Sequence, residues 1–297
     1  MTFIELAEQW LELKKMDVGN SQYNGYIYSL KRLEPLHNMA IQDIRVSDVQ
    51  AVITALAKRN EHTGKPTAKK TLRDTKYTAK QILQMGVDGQ MLKINVANSV
   101  KIPRNAPKDE RRALTPEEQK IITDTPHKFR TVGMILLYSG LRRGEIIPLL
   151  WSDIDLDNGC ITVNKAVDLS RNTAVTKCPK TAAGCRVVHI PDVLVSYLRT
   201  VQHSDGLVME KLYSKIMWHK AWHKYMDDLG LPDVTAHMLR HTACTMMIES
   251  GMDVSSVQAQ MGHADIQTTL AIYTHVTQKH RAAEVEKLNE YLKSIAS

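Results

Sequence analysis

Cysteine is scarce in this chain, with four in 297 residues and none in a C-x-x-C pair. Cys160, Cys178, Cys185 and Cys244 also lack a neighbouring histidine pattern, which argues against a structural zinc site and for a reduced, cytoplasmic protein. Long apolar runs are missing as well. No stretch reaches the roughly eighteen residues that a membrane-spanning helix requires, so no membrane partner is expected. The N-terminus carries early acids (Glu5, Glu8) and lacks the basic-then-apolar order of a signal peptide. No acidic cluster of the kind that holds magnesium stands out, and no cofactor or metal is expected.

Positive charge is present, and it is uneven. Residues 1–112 hold 19 Lys and Arg against 12 Asp and Glu, whereas residues 113–297 hold 20 of each. The excess sits between Lys58 and Arg112. A basic patch alone is usually a solvated face; beside a phosphodiester-type site it reads as a nucleic-acid footprint. Lys69, Lys70, Arg73, Lys76 and Lys80 fall along one expected helix, and Arg104, Arg111 and Arg112 follow in a polar stretch.

Apolar periodicity predicts helices over 2–16 (Phe3, Leu6, Trp10 and Leu13 inward), from Ser21 to a stop at Pro35, and from Thr67 to about Met85. Ser47-x-x-Gln50 is a capping-box pattern that would open another. Residues 1–103 thus form a helical domain, 104–112 a basic linker, and 113–297 a second domain. That domain opens on Thr115-Pro116-Glu117-Glu118, a cap with proline in the first turn. Asn158-Gly159 signals a hairpin. Two further strands are expected at about 174–178 and 186–190, with Lys180 at the tip between them. Helices return at 191–201 and 212–228. His219 and His223, four apart on the latter, lack the accompanying ligands of a metal site and are read as packing and phosphate contacts.

The chemistry concentrates near the C-terminus. His237, Arg240 and His241 share one helix face by spacing. A short helix over 254–261 then leads to Met261-Gly262-His263, and another from about Asp265 carries Tyr273. Guanidinium and imidazole donors match the charge that grows on phosphate oxygens, and a tyrosine can attack phosphorus covalently.

These boxes resemble those of the tyrosine recombinases, the phage and transposon integrases. His237-x-x-Arg240, the Gly262-His263 turn and Tyr273 follow the family order, and Gly140-Leu141-Arg142-x-x-Glu145 resembles its first box. The resemblance implies a mainly α fold with a small antiparallel β-sheet: a SAM-like helical core-binding domain plus the tyrosine-recombinase catalytic domain. Arg142 and Arg240 would bind the phosphate, Glu145 would orient Arg142, and His237 and His263 would complete the cage. Lys180, in a K-T-x-x-G-x-R pattern ending at Arg186, would be the general acid, with Lys177 and Lys165 as rivals. Tyr273 would form a 3′-phosphotyrosyl link, without metal or ATP. The resemblance also implies a clamp closing on double-stranded core sites and a Holliday junction held by a tetramer. The apolar stripe of residues 281–297 would join its protomers, and an accessory DNA-bending or excision factor would fit the scheme. The small arm-binding domain found ahead of the first helix in many integrases is missing from this sequence, which implies either a simpler recombinase or a shortened form of a longer one. Two other readings stand beside this one: a type IB topoisomerase, marked by a monomer that relaxes supercoils, and a non-enzymatic DNA-binding regulator, against which all six catalytic positions carry competent residues.

Overall fold

The computed structural model describes residues 1–59, 64–107, 112–169, 175–177, 185–201, 205–274 and 292–293. The chain divides into two compact units, Met1–Glu110 and Arg111–Ser297. No helix among the described residues is long and apolar enough to cross a membrane.

The first unit is helical because its apolar side chains recur at three and four positions. Helix α1 (Phe3–Asp17) starts on a reciprocal cap, in which the Thr2 N–H donates to Glu5 and the Glu5 N–H to the Thr2 hydroxyl. It buries Phe3, Leu6, Ala7 and Trp10. Leu13, expected inside, is 58% exposed because it lies at the margin of that stripe. Helix α2 (Asn20–Arg32) leads into a 3-10 turn at Glu34–Leu36, where Pro35 blocks continuation. Helix α3 (Val46–Lys58) does not start on the Ser47 box. Asp48 instead accepts the Arg45 N–H at 2.8 Å, so the helix begins earlier and Ser47 lies within it. Gln50 is drawn away to bond Lys101 through both its amide atoms, at 2.8 and 2.9 Å.

Helix α4 (Lys69–Asp88) crosses the core of this unit, burying Leu72, Thr75, Ala79, Ile82, Leu83 and Gly86. Residues 104–107 lie against its start: the Lys69 N–H donates to Pro107 O at 2.7 Å, and Ala106 is buried.

The second unit surrounds helix α6 (Arg130–Ser139), which is apolar nearly all round and buried accordingly. Ahead of it stands α5 (Pro116–Asp124), capped by Thr115 and Glu118 as its sequence predicts. Gly140 ends α6 in the left-handed conformation at φ 66°, and α7 (Arg143–Ile146) follows at once.

Strands β1 (Ile154–Asp155) and β2 (Cys160–Val163) form the hairpin that Asn158-Gly159 announces. The remaining strands pair differently from the expected hairpin over 174–190. β4 (Val175–Lys177) pairs with β3 (Ala166–Asp168), whereas β5 (Arg186–His189) pairs with β2, Val163 opposite Arg186. Val188, on the inward face of β5, joins Ile161 and Val163 of β2 in the core, and that burial fixes the pairing. Helices α8 (Asp192–Thr200), α9 (Lys215–Asp228), α10 (Ala236–Glu249) and α11 (Val254–Met261) complete the unit, with α12 spanning residues 266–274.

Candidate active site

Thr235 caps α10, and the three-residue spacing then separates two fates: His237 is exposed at the first turn, while Arg240 is 4% exposed. Arginine is rarely buried to this degree without partners. Its partners here are two helix ends. Arg240 donates to Gly140 O, at the end of α6, at 2.5 Å and to Met261 O, at the end of α11, at 2.6 Å. Terminal carbonyls lack partners within their own helix and carry the negative end of its dipole, so a guanidinium satisfies both needs. Burial, and next the charge of Arg142, pull the pKa of Arg240 down to about 9, which leaves it charged at neutral pH.

Arg142 is the N-cap of α7, and Glu145 sits three residues on. The carboxylate accepts the Arg142 N–H at 2.8 Å and its guanidinium at 2.7 Å. The G-L-R-x-x-E spacing is therefore half of a capping box, with the side-chain ion pair added. Arg142 also donates to Gly262 O. A third arginine, Arg186 on β5, forks onto both oxygens of Glu145 at 3.0 Å each. Nothing in the local sequence gives Arg186 a role beyond its fixed place at the end of the K-T-x-x-G-x-R pattern. Burial pushes the Glu145 pKa up, but the bonds and charge of Arg186 and then Arg142 outweigh it and hold the carboxyl below its ordinary range.

Gly262 caps α11 in the left-handed region at φ 63° and turns the chain to His263. Burial lowers the His263 pKa to about 4, helped by Arg240, Arg142, Arg186 and His237, so the ring is neutral at pH 7. Its Nδ1 lies 2.8 Å from the buried Thr269 hydroxyl on α12. Tyr273, one turn beyond Thr269, is half-buried against Cys244, Ile248, Val257 and Met261.

Arg142, His237 and Arg240 line one open cleft of about 500 Å³, together with His219 and His223. The last two are exposed, with Nε2 atoms 3.2 Å apart, and the stacked rings of Trp218 and Trp222 wall the same cleft. Lys180 lies outside the described residues, and Lys177 is described only as part of β4. Lys165 is held by Asp153 at 2.8 Å, which ties up its ammonium. Among the described residues, no group of three or more His, Cys, Asp and Glu is placed to hold a metal ion.

The expected DNA-contacting lysines divide. Arg73 and Lys80 are exposed on α4, and Arg104 is exposed beyond it. Lys70 is exposed but paired with Asp74 at 3.0 Å. The spacing of Lys76 places it on the solvent side, yet its ammonium turns inward to Val100 O at 2.5 Å, and Lys69 reaches Arg104 O at 3.4 Å. Arg112 forks onto Glu118 at 2.5 Å on each arm, and Arg111 lies outside the described residues.

Both units of the chain resemble known proteins. The phage integrase family matches residues 104–280, and the N-terminal SAM-like domain of phage integrases matches 2–57. A XerC-like tyrosine recombinase from Caldanaerobacter subterraneus subsp. tengcongensis is 24% identical over 98% of this chain and 83% of its own length. Tyrosine recombinase XerA from Thermococcus kodakarensis is 33% identical, covering 65% of this chain and 67% of that protein. Among solved structures, the Tn1549 transposon integrase in complex with transposon right-end DNA superposes at a TM-score of 0.78, with 21% identity over 97% of this chain and all 100% of that one. That likeness carries the fold, a SAM-like helical domain followed by the tyrosine-recombinase catalytic domain. The chain belongs to the phage integrase family and is a tyrosine-type site-specific DNA recombinase.

Proposed function

We propose that Tyr273 is the nucleophile, that double-stranded DNA core sites are the substrate, and that the reaction integrates or excises a mobile element. The Tyr273 oxygen gives its proton to one of the two imidazoles, His237 or His263, attacks the scissile phosphorus and forms a 3′-phosphotyrosyl bond, while the 5′-oxygen leaves and takes a proton from Lys180. Attack on that bond by the 5′-hydroxyl of a second strand completes exchange and frees the tyrosine, so bond energy is conserved without ATP. Arg142 and Arg240 neutralise the non-bridging oxygens, with His237 and neutral His263 as hydrogen-bonding partners. Tyrosine's ordinary pKa of about 10 means these cations must also favour the phenolate.

The observation that supports this most is the pair of arginines in one cleft with His237, each anchored by main-chain carbonyls. Groups held this way are oriented before a phosphate arrives, which lowers the cost of reaching the transition state. The mobile-element reading draws on a relative, the transposase of Tn916 from Enterococcus faecalis, 32% identical over 53% of this chain and 44% of that protein. In the first unit, a cleft of about 480 Å³ between α2 and α4 is lined by exposed Tyr28 and Tyr77 beside Arg32 and Lys70. Phenols next to cations suit base and phosphate contacts.

Assembly on DNA belongs to the same proposal. The second unit carries an apolar groove of about 440 Å³ bordered by Tyr138, Ile190, Val193, Met246, Met247 and Met252. The stripe Val285, Leu288, Leu292 and Ile295 has matching chemistry, and Leu292 is 48% exposed. A tail from a neighbouring protomer in that groove would link active sites within a tetramer.

Nicked duplexes taken from the DNA flanking this chain's gene test the chemistry. The unaltered protein is expected to form a covalent adduct on one of them, and Tyr273→Phe to bind it without an adduct. An adduct that survives in Tyr273→Phe moves the nucleophile elsewhere.

A further inference from the structure

One carboxylate, that of Glu145, serves two guanidiniums of opposite exposure. The Arg186 side chain is 7% exposed and that of Arg142 is 39% exposed, while Glu145 is 6% exposed. The Arg186 fork engages both carboxylate oxygens, and the Arg142 guanidinium meets Glu145 through a single bond, to Oε1, its other arm donating to Gly262 O. Two positive charges share one negative charge, and the surplus falls on the arginine that lines the cleft. Arg186 Nε reaches further, donating to Gln260 O at 2.9 Å. The Gln260 side chain in turn bonds both main-chain groups of His189 on β5. The next two residues, Met261 at the end of α11 and its cap Gly262, supply carbonyls that hold Arg240 and Arg142.

We infer that Arg186 is a positioning residue for strand cleavage: its fork on Glu145 keeps Arg142 from closing into a two-point, charge-quenched pair, and its bond to Gln260 O fixes the helix end that anchors both phosphate-facing arginines. Without Arg186, the Glu145 carboxylate has a single guanidinium within reach, and bidentate pairing is the geometry that arginine and carboxylate favour. Arg142 would then turn away from the cleft with its charge spent. Lysine cannot substitute, because a point ammonium cannot span both oxygens and the Gln260 carbonyl. The inference rests on the reading of Arg142 as a phosphate clamp.

The test compares the full chain with Arg186→Gln, Arg186→Lys, Arg142→Gln, Glu145→Gln and the double variant Arg186→Gln/Glu145→Gln. Three measurements are made on the nicked flank duplex that gives an adduct: single-turnover cleavage, affinity, and the thermal midpoint of the free protein. Arg186→Gln is expected to lose cleavage by about 10- to 100-fold, the scale on which misplacing an oriented group acts, with affinity little changed. The double variant should recover part of that loss, because a neutral amide no longer captures Arg142, while the missing bond to Gln260 O keeps it below the unaltered rate. A brace that only held the fold together would show no such recovery, and double-mutant coupling separates the two cases. Should Arg186→Gln fail to fold because Glu145 is left buried and under-paired, Arg186→Lys takes its place, expected folded and similarly slow. Full-rate cleavage by the folded Arg186 variant, or a double variant no faster than Arg186→Gln, overturns the inference. Undiminished cleavage by Arg142→Gln would instead overturn the clamp reading, and the two failures are thereby distinct.

Discussion

His263 Nδ1 and the Thr269 hydroxyl lie 2.8 Å apart across the turn between α11 and α12. Thr269 is fully buried, so this contact both orients the imidazole and pins the helix that carries Tyr273 one turn later. Replacing Thr269 with valine keeps the shape and removes the bond. A hydrogen bond of about 1 kcal/mol corresponds to roughly a fivefold rate loss. Thr269→Val is therefore expected to slow adduct formation by that factor while binding the same duplex normally. Unchanged cleavage would show that His263 takes its orientation from another contact.

Gly140 combines two constraints. Its φ of 66° disfavours any side chain, and an added Cβ would meet the Met261 sulfur at 2.7 Å and the Ala243 Cβ at 3.3 Å. Gly140→Ala should cost about 2 kcal/mol from strain and overlap together, a fall of about 4–8 °C in thermal midpoint. Cleavage measured well below that midpoint should fall as well, because Gly140 O is one of the two carbonyls that hold Arg240. A loss of stability with full activity would show that Arg240 tolerates movement of its anchor.

The lowered pKa of His263 predicts a pH dependence of stability with a defined sign. The ordinary value is 6.5 and the folded value about 4. Above pH 6.5 the ring is neutral in both folded and unfolded chains, and its environment imposes no proton-linked cost. Between 6.5 and about 4 only the unfolded chain takes up the proton, so acidification favours unfolding. Denaturant titrations of the full chain and of His263→Gln across this window should show a steeper decline in the unaltered protein. Parallel declines would place the titrating group elsewhere.

Lys180 as general acid leaves a chemical signature. A leaving 5′-oxygen needs a proton, whereas a 5′-bridging sulfur leaves readily as a thiolate. Lys180→Ala should cleave ordinary DNA slowly, losing about 100-fold or more, and regain most of the rate on the sulfur-substituted duplex. Equal defects on both substrates would take Lys180 out of that role and turn attention to Lys177.

The tail prediction separates assembly from chemistry. Burial of Leu288, Leu292 and Ile295 in a neighbour would contribute about 1.5–3 kcal/mol per fully buried side chain. Deleting residues 283–297 should therefore abolish the multimeric DNA complex and strand exchange while nicked-duplex cleavage persists. A truncated protein that recombines two full sites, or one that cannot fold, would each refute the coupling of protomers through the tail.

Contacts three and four residues apart are legible in the chain before it folds. The Thr115–Glu118 cap, the placing of His237 and Arg240 on α10, the Arg142–Glu145 pair and the Asn158-Gly159 hairpin all follow from helix and turn geometry acting over one turn. Tertiary structure decided what competes over distance. At α3 two local patterns were available, and Asp48 won the cap while Gln50 bonded Lys101, 51 residues away. Lys76 and Lys80 look alike in sequence, but the Lys76 ammonium turns inward to Val100 O while Lys80 is exposed to solvent. Arg186 meets Glu145 across 41 residues and Arg142 meets Gly262 across 120. No local periodicity encodes such pairings, because they exist only once strand β5 and the end of α11 have packed against α7 and given each buried charge its partner.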